Sequence, residues 1–288
     1  MFRSLVKTTA VVVGATVLAT IATNAVDMNG NLSDTMIGSV FSGSEKSDSI
    51  CPKNMVLVTQ ALSPFCVDMY EVSAGEDCIY IDPLNEDQTM FNLSDPDCEP
   101  VSSVNKLPWR HITLDQAQRA CSRAGKRLPS AGEWYKAAIG TPDPNDGWSS
   151  EHCNVSNNRA EGVSITGNGI RCISDAGAYD MVGNVWEWVE ESVQKGDWNG
   201  RELPETGYIT GVDVDGIAYE TNKKKVETFN NDRFWVDERL LAGVMRGGYY
   251  NSKSQSGVYA TYAASPPTFT GDAVGFRCVV TPVLPTSE

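Results

Sequence analysis

The sequence predicts a loop-rich α+β domain of short antiparallel strands and two short helices. Three observations carry that expectation. Apolar, β-branched runs of strand length lie near both ends of the domain, at residues 55–60, 65–73, 257–264 and 275–280. Two helix starts with strong capping signals sit between them. Two long tracts, residues 141–179 and 195–233, are polar with little periodicity. Loops of that length are functional or are held by something other than a hydrophobic core.

Residues 1–26 read as an export signal: Arg3 and Lys7 give a positive start, an apolar stretch follows from Ala10 to Ala22, and Ala22-Thr-Asn-Ala25 offers a cleavage site. The apolar run is short for a spanning helix, which needs about 20 residues; retention as a membrane anchor stays open. Residues 27–50, rich in Ser, Gly, Asn and Asp, read as a flexible tether, and residues 51–288 as the domain. Ser63-Pro64 separates the first two strand runs, which read as a hairpin. Residues 74–105, with acids, Asn, Pro and two cysteines, read as a stapled surface loop. Thr113 stands three residues before Gln116 and Ser130 three before Glu133, the spacing of a capping box. Leu114, Ala117, Cys121 and Ala124 then form one apolar stripe ending at Gly125. Trp134, Ala137 and Ala138 follow the second start, and Gly140 stops it.

Eight cysteines in an exported chain imply a disulfide framework, and eight cysteines allow 105 pairings. Local spacing favours Cys51–Cys66, Cys78–Cys98 and Cys153–Cys172, leaving Cys121 and Cys278 as a long-range pair. No CxxC occurs, which speaks against redox catalysis and thiolate zinc sites. The net charge of −14 and pI near 4.6 exclude a nucleic-acid partner as the first expectation, because phosphate contacts rest on Lys and Arg. The one basic run, Lys223 to Lys225, reads as a solvated loop. Only His111 and His152 are present, too few for a His-rich metal centre.

The densest motif is Asp180-Met-Val-Gly-Asn-Val-Trp-Glu-Trp188. Its two carboxylates flank a Gly-Asn turn, a way to bring side-chain and peptide oxygens to one point. Such a point suits calcium, which takes about six to eight oxygen ligands. The plain alternative is a strand end with two core tryptophans and a solvent-facing Glu187. Trp109, Trp134, Trp186 and Trp188 read as core anchors, and Arg246 and Arg277 as buried arginines holding ion pairs or carbonyls. Asp213, Asp215 and Gly216 read as a plain turn, since the 12-residue calcium-loop pattern and its closing glutamate are missing.

FCVDMYEVS, AGKRLPSAGEWYKAA, DMVGNVWEW, VMRGGYY and GFRCVV follow one another in an order that resembles the formylglycine-generating enzyme (sulfatase-modifying factor) family over residues 51–281. The resemblance implies a C-type-lectin-like fold and two calcium sites. One falls on the Asp180 and Glu187 side chains with the Gly183 and Val185 carbonyls. The other falls on the Asn154 side chain, the Val155 carbonyl and the turn from Asn168 to Ile170. Asn168 stands where the family often has aspartate, and one carboxylate fewer weakens that site. The resemblance also supports Cys121–Cys278. Its catalytic part does not carry over: the copper-binding cysteine pair is replaced by Ser252 and Gly257, and no cysteine lies between Arg246 and Arg277. Serine is a far poorer Cu(I) ligand than thiolate, so no copper is expected.

Residues 249–272 are instead rich in Tyr, Ser, Thr and Asn, the composition of a recognition surface. GRELPETGYITGVDVDG, NDRFW and VMRGGYY also resemble variable proteins diversified by retroelements. The expected function is that of an exported or surface-tethered, non-catalytic protein that binds a protein or glycan ligand at the cell surface. The expected contacts are Tyr250, Asn251, Ser252, Ser254, Tyr259, Thr261, Tyr262, Thr268, Thr270 and Asp272. Positions within 257–264 alternate between faces, so some of these must be buried. The alternatives are a copper-dependent oxidoreductase acting on sulfatase cysteines and a structural envelope component.

Overall fold

The computed structural model describes residues 50–282; the expected export signal and all but the last residue of the tether lie outside them. Strands β1 (Met55–Val58) and β2 (Phe65–Asp68) form the expected antiparallel hairpin. After β3 (Val72–Ala74) the stapled tract departs from a plain loop. It contains helix α1 (Glu86–Ser94) and strand β4 (Pro100–Ser102), which pairs with β3. Among the described residues there are therefore three α-helices where two were expected. Asn85 caps α1 by accepting from the Gln88 N–H, but Met90 and Phe91 are exposed and only Leu93 of its large apolar residues is buried, so no stripe announces it. Helices α2 (Leu114–Arg123) and α3 (Ala131–Ala138) both begin with a complete capping box, at Thr113 and Ser130.

Residues 186–276 build one large sheet. Its strands are β5 (Trp186–Gln194), β6 (Asp197–Trp198), β7 (Arg201–Glu202), β8 (Gly207–Val212), β9 (Ala218–Asn222), β10 (Arg233–Val236), β11 (Leu241–Gly247) and β12 (Gly257–Ser265). The spatial order is β7-β6-β5-β11-β12-β10-β8-β9, with β13 (Val274–Phe276) running parallel to β5. Strand β14 (Val279–Val280) returns to pair with β2. The tract 195–233, expected to be irregular, thus supplies four strands and a 3-10 turn. In β8 the inward positions are Gly207, Ile209 and Gly211, so two of three carry no side chain and the period-2 apolar signal is lost. Both glycines are needed: a Cβ at 207 would lie 2.8 Å from the Asn222 carbonyl oxygen, and one at 211 would lie 2.6 Å from the Tyr219 ring. Residues 141–179 remain irregular, fastened by Cys153–Cys172 and by the Asn158 amide, which donates to the Ser149 and Cys153 carbonyls.

The sheet divides two cores. On one side α3 and Trp134 pack with Val189, Val244 and Ala263; on the other, α2 packs with Trp109, Trp188, Met245 and Phe276. All eight cysteines pair as local spacing favours: Cys51–Cys66, Cys78–Cys98, Cys153–Cys172 and Cys121–Cys278. The last joins α2 to the chain's final strands across 157 residues. Four disulfides fit a chain that matures in an oxidising, extracellular setting.

Candidate functional site

Strand β5 places Trp186 and Glu187 on opposite faces, as adjacent strand residues must be. Glu187 does not face solvent; it is 1% exposed. Arg277 grips both its oxygens, Nε to Oε2 at 2.7 Å and Nη2 to Oε1 at 2.6 Å, and the Trp134 indole N–H adds a third bond at 2.6 Å. Asp180, with φ +57°, accepts from Arg159 Nη1 at 3.2 Å and from the Gly167 N–H at 2.7 Å. Glu71 completes the group: Oε2 accepts from the Asn184 amide at 2.7 Å, while Oε1 is buried without a partner. Burial, reinforced by Asp180 and Glu187, pushes the Glu71 carboxyl well above its usual range. Three carboxylates and two guanidiniums leave an excess of one negative charge in this group. At the Asp180–Glu187 set, where the resemblance implies calcium, the positive charge in this geometry comes from Arg159 and Arg277. At Asn154 the Oδ1 is fully buried with no donor. The Val155 carbonyl there accepts from the Lys253 N–H, Asn168 is exposed, and no carboxylate contributes, so only a weakly held ion suits it. Among the described residues, no group of three or more His, Cys, Asp or Glu side chains is placed to hold a metal.

On the opposite face the aromatics of three strands meet. Parallel pairing of β10 and β12 sets Trp235 beside Tyr262. Trp186 stands edge-on to Trp235 with centroids 5.6 Å apart and lies 5.7 Å from Tyr262. These rings open into a cleft of about 510 Å³, whose other wall is Tyr249, Asn251, Ser252, Lys253 and Gln255, with Lys225 at its edge. A smaller recess of about 200 Å³ continues past Tyr262 and Tyr249 to Phe269 and Asp272. The larger cleft is lined by two lysines and no acid, in a chain with 37 acidic and 23 basic residues. Tyr250 closes one side by donating to Asp272 Oδ2 at 3.0 Å, and burial and that carboxylate raise its phenol pKa.

Ser252 stands at this cleft, its hydroxyl accepting from the Tyr249 N–H at 3.0 Å. Gly257 does not: it is the buried first residue of β12, where a Cβ would lie 2.0 Å from Asp232 Oδ1. No thiol is free anywhere in the chain. Of the ten expected contacts, Asn251, Ser252, Tyr262 and Asp272 line the two recesses, and Tyr250 borders them. Ser254 reaches the wall with only 9% of its surface exposed. Thr261 is turned inward, its hydroxyl bonded to the Tyr259 carbonyl, because it shares the inward face with Arg246. Tyr259 packs on Tyr135 and Phe229 away from the cleft, and Thr268 and Thr270 line neither recess. Trp186, Trp235, Tyr249, Lys225, Lys253 and Phe269 were missed. Trp186 carried a signal, since strand alternation forbids it and Glu187 from sharing a face. Arg246 is buried and donates to the Gly216 and Val258 carbonyls, and Asp213 forms the expected turn with Gly216.

The model of the sulfatase-modifying factor enzyme 1-like domain matches residues 19–282, so the chain belongs to that family. Its fold is the C-type-lectin-like fold of formylglycine-generating enzymes. An inactive Cα-formylglycine-generating enzyme 2 from Bos taurus is 31% identical over 125 residues, 38% of this chain and 40% of that protein. The chain thus spans about two fifths of the curated relatives it matches. Among solved structures, a Major Tropism Determinant I1 variant aligns with TM-score 0.47 and 17% identity over 80% of this chain and 53% of the other. PvdO from Pseudomonas aeruginosa aligns with TM-score 0.45 and 19% identity, covering 75% and 80%.

Proposed function

We propose that the chain is an exported, non-catalytic binding protein on a formylglycine-generating-enzyme scaffold, and that its ligand sits in the Trp186–Trp235–Tyr262 cleft. The observation that carries this reading is the cleft itself: a buried indole and half-buried indole and phenol rings line it beside Ser252, where the family's reactive chemistry needs a thiol. Rings offer rigid contact area, and Ser, Asn and Gln offer adaptable hydrogen bonds. The lysine-only charge of the lining favours a ligand with a flat apolar face and a negative group, on a glycan or a protein at the cell surface. Inactive relatives of the same family are in keeping with the loss of catalysis. Diversification of residues 249–272 by a retroelement belongs to this reading, and a reverse transcriptase beside the gene with a near-copy of its 3′ end is the observation that tests it.

The binding test is a screen on glycan and protein arrays, repeated with Trp235→Ala, Tyr262→Ala and Lys253→Ala combined. Loss of at least tenfold in affinity for any ligand found is expected. Undiminished binding by the triple variant removes the cleft from the reading.

A further inference from the structure

Beneath β12, at Gly257, two loops bring carboxylates together. Asp143 comes from the irregular tract after α3, and Asp232 from the turn before β10. A Cβ built on Gly257 would lie 2.0 Å from Asp232 Oδ1 and 2.3 Å from Asp143 Oδ2, so the two oxygens converge on one point. Asp232 is fully buried; its Oδ2 accepts from the Tyr259 N–H at 2.8 Å, and its Oδ1 has no amide or hydroxyl donor, the residue's remaining side-chain partner being the Asp143 carboxyl. A carboxylate oxygen buried against another carboxylate is costly unless a proton or a cation stands between them. The Asn230 amide lies 3.5 Å from Asp143 Oδ2, and the same amide turned end over end presents an oxygen there. The Asn231 amide donates to Asn145 Oδ1 at 2.6 Å, which already holds the two loops together. Arg246, whose charge reaches Asp232, donates to the Gly216 and Val258 carbonyls and to neither carboxylate. Every donor here is an oxygen, the hard set that calcium prefers.

We propose that Asp143 and Asp232, with Asn230, hold one divalent cation of the calcium type. The ion clamps two loops under position 257, where the family resemblance places a reactive cysteine. It is distinct from the Asn154 and Asp180–Glu187 positions.

The test is calorimetric titration of the full chain, stripped with EGTA, with calcium chloride, alongside melting curves. The expected result is a binding event and a rise in Tm with calcium that Asn154→Ala keeps and that Asp143→Asn and Asp232→Asn each lose. An ion bound only to the folded state at a hundred times its Kd stabilises by about 2.7 kcal/mol, enough to read in Tm. A wild-type chain that gives neither signal with calcium or magnesium overturns the proposal. So does a calcium response unchanged in both Asp variants. Should Asp232→Asn fail to fold, Asp143→Asn, on the half-buried loop, decides by the same two readouts.

Discussion

Trp186 and Glu187 are neighbours on one strand and belong to two different regions. On the Glu187 face, Arg277 holds Glu187, Arg159 holds Asp180, the indole of Trp134 is committed to a hydrogen bond, and exposure is close to nil. On the Trp186 face, rings stand beside one another at a cleft and two lysine side chains face no acid in its lining. The difference teaches where this scaffold spends its interactions: one face of β5 is given to buried ion pairs, and the other to a ring-lined cleft beside Ser252. Substitutions on the two faces should therefore separate stability from binding.

The largest effect is expected from the covalent frame. Replacing Cys121 and Cys278 together by Ala opens a loop of 157 residues, worth about 4–5 kcal/mol in the chain-entropy account. Urea unfolding measures it; a loss under about 1 kcal/mol would contradict the role given to that bond. Arg277→Met strands Glu187 in the core and should cost about 3–5 kcal/mol by the same measurement. If its cost is no greater than that of an exposed substitution, the buried pair is not what holds this face. Gly257→Cys should destabilise by about 1–3 kcal/mol, because the new side chain must displace Asp232 and Asp143. A variant as stable as the parent would mean the position is open after all.

A smaller effect concerns pH. Burial pushes the Glu191 carboxyl up to about 7, against the opposing hydrogen bonds from the Ala131 N–H at the start of α3. Its folded pKa lies above its unfolded one, so the stabilisation is complete below about pH 4 and is lost as pH rises through about 7. Glu191→Gln should flatten the fall in Tm across that interval, and an unchanged slope would remove Glu191 as its cause. The smallest stability change is expected at the cleft: Asn251→Ala and Lys253→Ala should stay within about 0.5 kcal/mol of the parent, while weakening ligand binding. Lost stability with intact binding would invert the comparison.

Much of the frame was legible because it is local. Thr113 with Gln116, and Ser130 with Glu133, announce their helices through hydrogen bonds made within one turn, and near-neighbour cysteines announce their pairs by proximity. Helix α1 was not legible, since its burial follows its packing rather than a stripe. Strand β8 was hidden by glycines at Gly207 and Gly211, which exist for close approach of other atoms. At the cleft, composition pointed to the right segment but not to the facing. Thr261 and Tyr262 are equally plausible on paper, and the register that pairs Tyr262 with Trp235 and Thr261 with Phe234 decides between them. The Asp143–Asp232 meeting is wholly tertiary and left no sequence signal.

The central claim is that this family scaffold has kept its frame and exchanged oxygen chemistry for recognition. The most direct measurement is incubation of the full chain with copper, oxygen and a cysteine-containing sulfatase peptide, followed by mass spectrometry. The account predicts an unchanged cysteine after prolonged incubation. Formylglycine in the peptide, formed in proportion to the protein added, would contradict it.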